Sequence, residues 1–126
     1  MSSARYDVEG LVFVVAGGTT GLGLSAARLL VDCGARVLVA GRSAENLEAA
    51  LSVLGDAADG VCGDLSDSAV ADEMVAAAVR VWGRVDGLYH VAGGSGRRRG
   101  DGPVGELSDE GWVYTLNLNL TSVAWT

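Results

Sequence analysis

Residues 11–30 read LVFVVAGGTTGLGLSAARLL, and the passage from Leu11 to Gly23 decides the fold. Leu11 to Ala16 is an unbroken apolar run rich in β-branched side chains, as expected of a strand covered on both faces in a parallel sheet. A glycine-rich turn follows. Beyond it Leu22, Ala26, Leu29, Leu30 and Cys33 recur at the spacing of one helix face, and Gly34 stands where such a helix would end. Two registers compete in the turn. GxxxGxG uses Gly17, Gly21 and Gly23, whereas GxGxxA uses Gly21, Gly23 and Ala26. A diphosphate needs a tight turn directly after the strand, free N–H groups at a helix start and no Cβ in its way. Gly17 directly follows the strand, so the first register supplies that turn and the second leaves a gap. Strand, glycine loop and helix in this order predict a nucleotide site formed by Gly17, Thr19, Thr20, Gly21, Leu22 and Gly23.

Working outward, the same alternation repeats. Arg36 to Ala40 is a second buried strand, and Ser43 can cap a helix whose apolar face is Leu47, Ala50, Leu51 and Leu54. Gly60 to Cys62 makes a short third strand. Ser66 can cap the next helix, whose face is Val70, Met74, Ala77, Ala78 and Val81, and Gly83 closes it. Asp86 to Ala92 is strand four. A last helix begins at Ser108, with Leu107 and Trp112 placed as a hydrophobic staple. The order βαβαβαβα with right-handed crossovers predicts an α/β protein, a doubly wound, Rossmann-like parallel sheet with its ligand site at the carboxyl ends of the strands.

The end of the second strand bears on which nucleotide is bound. A carboxylate there suits the ribose hydroxyls of NAD, and an arginine suits the 2′-phosphate of NADP. The sequence reads Ala40-Gly41-Arg42-Ser43, with no carboxylate before Glu45. Arg42 can offer a planar fork of donors and Ser43 a hydroxyl, so NADP(H) is the expected cofactor and NAD the lesser one.

Composition narrows the class further. Hydrophobic residues make up 49% of the 126-residue chain, charged ones 20%, and the net charge is −7. A chain of this length supports one core, hence a single domain over residues 1–126. No apolar run approaches the roughly 18 residues of a membrane span, and no charged-then-apolar leader opens the chain. A cytoplasmic protein without membrane partners is expected. A negative surface also repels nucleic acid. All nine basic residues are arginine, so chemistry requiring a lysine is not carried by these residues. Cys33 and Cys62 belong to no metal-like cluster; no metal is expected, and both are read as small buried side chains in a reducing compartment.

These motifs resemble the short-chain dehydrogenase/reductase family along essentially the whole chain. Ala16-Gly17-Gly18-Thr19-Thr20-Gly21-Leu22-Gly23 is similar to the family's TGxxxGxG loop, with alanine for the leading threonine. Gly63-Asp64-Leu65-Ser66 resembles the Asp-hydrophobic pair after strand three, and the resemblance implies that Asp64 and Leu65 border the adenine. His90-Val91-Ala92-Gly93 resembles NNAG after strand four. Both amides are gone, yet Ala92 and Gly93 still permit close approach of the cofactor. Asn117-Leu118-Asn119-Leu120-Thr121 resembles the helical stretch carrying the family's catalytic asparagine, which falls on Asn119. Independently, Trp112, Leu116, Asn119, Leu120 and Val123 share one face of an α-helix, so something specific should satisfy an amide there. His90 invites an acid/base reading, its ordinary pKa lying near neutrality, but is read first as a structural replacement for an asparagine, and Arg97, Arg98 and Arg99 as a solvated loop.

The resemblance implies hydride transfer between NADP(H) and a small-molecule alcohol or ketone. The family's catalytic serine and Tyr-x-x-x-Lys pair have no counterpart, since Tyr6, Tyr89 and Tyr114 precede no lysine. The chain therefore reads as the cofactor-binding part of such an enzyme, inactive alone, with a non-catalytic nucleotide-binding module as the alternative. An apolar fourth strand at the sheet edge and an apolar last helix predict a homo-oligomer.

Overall fold

The computed structural model describes residues 7–126; residues 1–6 of the expected domain lie outside the described residues. Strands β1 (Val12–Ala16), β2 (Arg36–Gly41), β3 (Ala58–Cys62) and β4 (Gly87–His90) form one parallel sheet in the order β3-β2-β1-β4. Helices α1 (Gly21–Asp32), α2 (Ala44–Leu54) and α3 (Ser68–Trp82) connect them. Further on come α4 (Asp109–Leu116), a π-helical turn (Asn117–Thr121) and α5 (Ser122–Trp125). This is the doubly wound α/β architecture the sequence predicts.

The period of two along β1 and β2 divides their apolar runs between two cores. Val12, Val14 and Ala16 join Leu38 and Ala40 against Met74, Ala77 and Ala78 of α3. Val15, Val37 and Val39 turn the other way, against Ala27 of α1 and Leu54 of α2. Each buried valine or leucine contributes roughly 1.5–3 kcal/mol, so covering both faces of both strands dominates the stability of the sheet. At the start of the β1–β4 pair the Asp86 carboxylate accepts from the Val12 N–H at 2.8 Å, and the Val12 carbonyl accepts from the Asp86 N–H at 2.8 Å.

Caps set the helix ends. Ser43 accepts from the Asn46 N–H at 3.2 Å and Ser108 from the Gly111 N–H at 3.0 Å, as expected. Gly83, left-handed with φ +78°, closes α3 by donating to the Val79 carbonyl.

Several expectations are corrected. The cap of α3 is Asp67, which accepts from the Ala69 N–H at 3.0 Å; the Ser66 hydroxyl instead bonds Asp64. In α1 the buried face is Gly23 and Ala27, flanked by Leu24, Leu30 and Val31, while Leu22 and Leu29 are exposed. Both faces are apolar in sequence, and the helix turns inward the one whose glycine allows the closest approach to the strand ends. Cys33, just past the rotated helix, and Cys62, on the edge strand β3, are exposed rather than buried. Trp112 is exposed as well, so the staple with Leu107 leaves it facing solvent.

The largest difference lies in the last helical segment. An α-helix would align Trp112, Leu116, Asn119, Leu120 and Val123, but the Ser122 N–H donates to the Asn117 carbonyl five residues back. That π turn holds one residue more than an α turn and rotates everything beyond it. Gly111, Leu118 and Ser122 are buried, and Trp112, Leu120 and Val123 face outward.

Candidate nucleotide-binding site

The chain runs outward from β1 to β2 and β3, then returns to β4 on the other flank of β1. The switch point therefore lies between β1 and β4, where doubly wound sheets place their ligands. A cavity of about 440 Å³ opens there, within the range of small-molecule sites.

Its first wall is the glycine loop. Gly17 has φ +85°, and a Cβ on it would stand 2.6 Å from the Ala92 backbone nitrogen. Only glycine permits β1 and β4 to approach so closely here. A Cβ on Gly23 would run into the Gly17 carbonyl, so Gly23 lets α1 begin directly under the turn. Thr20 occupies the cap position of α1 but makes no side-chain cap bond, unlike Ser43, Asp67 and Ser108 on α2, α3 and α4. The first N–H groups of α1 thus meet the cavity without a protein side chain to accept from them. Gly17, Thr19, Thr20, Gly21 and Leu22 line it; Gly23 lies behind as a packing residue.

The second wall comes from the end of β2. Arg42 is exposed and lines the cavity beside Ser43 and Asn46. Ser43 accepts the Asn46 N–H, which leaves its own hydroxyl proton free to donate. Asp64 and Leu65 line the cavity too. The Asp64 carboxylate accepts from the Ser66 N–H at 2.9 Å and the Ser66 hydroxyl at 2.7 Å. Its pKa is lowered first by the Ser66 N–H, against partial burial, with the Ser66 hydroxyl and the Arg42 charge adding to the effect.

The floor is the segment after β4. The Val91 and Ala92 N–H groups both donate to the Ala16 carbonyl, at 2.8 and 3.0 Å. Val91, Ala92 and Gly93 line the cavity, with Leu118 of the π turn. Asn119 does not line it. Its Oδ1 accepts from the Gly94 N–H at 2.9 Å, and its Nδ2 donates to the carbonyls of Gly94 at 2.8 Å and Thr115 at 3.0 Å. The amide expected on an apolar stripe is turned toward the β4 loop and spent on backbone. Arg97–Arg99 form a short 3-10 turn beyond that loop, with the Arg99 guanidinium 5.0 Å above the Tyr114 ring.

Of the residues expected to hold the cofactor or act on it, all except Gly23 and Asn119 meet at this cavity. Gly41, Asn46, Val91 and Leu118 also line it; Gly41, Val91 and Leu118 lie inside the quoted motifs, and Asn46 stands one helical turn past Arg42-Ser43. Among the described residues no group of His, Cys, Asp and Glu side chains could hold a metal ion, and no helix is long and apolar enough to cross a membrane.

A parallel β3-β2-β1-β4 sheet with a glycine-walled cavity at its switch point defines a Rossmann-like nucleotide-binding protein. The chain belongs to the short-chain dehydrogenase family, an oxidoreductase family whose sequence model matches residues 11–126. It is 40% identical to the granaticin polyketide synthase putative ketoacyl reductase 1 of Streptomyces violaceoruber, over 89% of this chain and 41% of that protein. To the 2,3-dihydro-2,3-dihydroxybenzoate dehydrogenase of Bacillus subtilis it is 34% identical, over 92% and 44%. The crystal structure of an actinorhodin polyketide ketoreductase with NADPH superposes with a TM-score of 0.81 at 39% identity, over 91% of this chain and 44% of that one. The chain thus spans less than half the length of each.

Proposed function

We propose that this chain is the NADP(H)-binding part of an oxidoreductase acting on an alcohol or ketone. The observation that carries the reading is the uncapped start of α1 at the switch-point cavity, where Gly17 lets the turn after β1 pack against Ala92. Such a helix start offers N–H donors and a positive dipole end to a diphosphate. Arg42 and Ser43 would hold the 2′-phosphate, and the end of β2 carries no carboxylate to repel it. Asp64 and Leu65 would border the adenine, and Ala92 and Gly93 would admit the nicotinamide ribose. The bound nicotinamide supplies the hydride chemistry. Asn119, by fixing the Gly94 loop, orders the backbone on which that ring would rest. The ketoreductase with NADPH supports this choice of cofactor.

Calorimetric titration of the chain with NADPH and NADH tests the reading. NADPH should bind more tightly, and Arg42→Ala should weaken it by about tenfold or more while leaving NADH unchanged, since charged hydrogen bonds contribute roughly 1.5–3 kcal/mol. Equal affinities would overturn the preference, and no binding of either would overturn the nucleotide site. The alternative reading, a binding module without turnover, predicts nucleotide binding alone. Ketone-dependent NADPH oxidation by the purified chain would exclude it.

A further inference from the structure

His90, the only histidine of the chain, stands at the end of β4, half-buried, where both ring nitrogens have partners. Nδ1 lies 3.0 Å from the Thr126 hydroxyl and Nε2 lies 3.3 Å from the Ser122 hydroxyl. Ser122 is fully buried, and its one proton is committed to the Leu118 carbonyl at 2.6 Å. Its oxygen can therefore only accept from the ring. With the Ser122 proton so placed, Nε2 of the neutral ring carries the proton, and Nδ1 at 3.0 Å is the nearest of three acceptors open to the Thr126 hydroxyl, ahead of the Val123 and Ser122 carbonyls at 3.1 and 3.4 Å. Burial pushes the ring below its ordinary pKa and so favours this neutral form, while the Ala92 backbone pulls more weakly the other way. Two anchors thus join the β4 end to one helical segment: the imidazole at Ser122, and the Asn119 amide at Gly94. Between them lie Val91, Ala92 and Gly93, the cavity floor.

We propose that His90, in its Nε2–H tautomer, is a positioning residue that locks the cavity floor and the Asn119 turn into one unit and thereby sets cofactor affinity. The proposal rests on the cavity being the NADPH site. Removing the imidazole frees one end of the floor from the helical segment while Asn119 still holds the other, so the floor keeps its backbone bonds to Ala16 but loses its fixed position against the Leu118 turn. Asparagine, shorter but with an N–H donor, can restore part of the tie.

The test combines nitrogen NMR of the single imidazole in the 126-residue chain with NADPH titration of wild type, His90→Ala, His90→Asn and Ser122→Ala, well below each melting temperature. The ring should show the Nε2–H pattern. His90→Ala and Ser122→Ala should each weaken NADPH about fivefold, as loss of one buried hydrogen bond implies, with His90→Asn in between. A purely structural histidine would lower the melting temperature and leave the NADPH affinity of the folded variants unchanged, which would overturn the proposal while the cofactor reading stands. An Nδ1–H ring in the wild-type chain would overturn it even if no variant folds. Wild type that binds no NADPH overturns both.

Discussion

At the scale of single residues, charge at the cavity rim is set by hydrogen bonding more than by burial. Asp64 illustrates this: the Ser66 N–H is the main cause of its lowered pKa, ahead of the opposing effect of burial. A carboxyl whose folded pKa lies below its unfolded value of about 3.9 releases its proton more readily in the folded chain. The stabilisation is present above the unfolded value and is lost as pH falls through the folded one. Asp86, held down by Arg84 and the Val12 N–H, acts in the same window at the far end of the sheet. Melting temperatures followed by circular dichroism from about pH 6 to 3 should therefore fall in wild type, and less steeply in Asp64→Asn. Parallel curves would mean that the Asp64 carboxylate does not stabilise the fold.

Among elements, the contrast between capped and uncapped helices separates stability from binding. Ser43→Ala and Ser108→Ala remove cap bonds and should each lower stability by about 1 kcal/mol, or roughly 4 °C in melting temperature. Thr20→Ala removes no such bond and should leave the melting temperature near that of wild type while weakening NADPH, by thermal melts with and without nucleotide. A large loss of stability in Thr20→Ala would show that the threonine serves the fold instead. Most elements were legible because their signals are local: β-branched runs for β1 and β2, cap residues for α2 and α4, glycine for the end of α3. What escaped is decided across the fold. Either face of α1 could have been the inner one until Gly23 met the Gly17 carbonyl. The π turn is invisible to a 3.6-residue period because the ties that accompany it, Asn119 to Gly94 and Ser122 to His90, span more than twenty residues. The cavity was readable for the same reason its glycines were: a backbone that must approach a ligand excludes side chains. For Asn119 the resemblance names the residue but not the direction of its amide, which bonds the backbone of Gly94 and Thr115.

For the whole molecule, the sheet leaves β4 paired on one side only, with Leu88 and Tyr89 nearly half exposed, and the last helical segment presents Trp112, Leu120, Val123 and Trp125 outward. We expect the chain to self-associate through these surfaces, because an apolar edge strand without lysine or proline is open to pairing. Light scattering after size exclusion should give an apparent mass that falls on dilution; a constant monomer mass across the series would reject this. The sheet order has another consequence. Pairing β1 with β2 joins residues about one helix apart in sequence, whereas pairing β1 with β4 brings Val12 to Asp86, whose numbers differ by 74. Closing so long a loop costs more entropy, so the near pairs form first and the distant one later. The cavity sits at that distant pair, and its walls meet only when folding is nearly done. A nucleotide held there would act as a late latch, slowing the opening of the chain and leaving the speed of its collapse almost untouched.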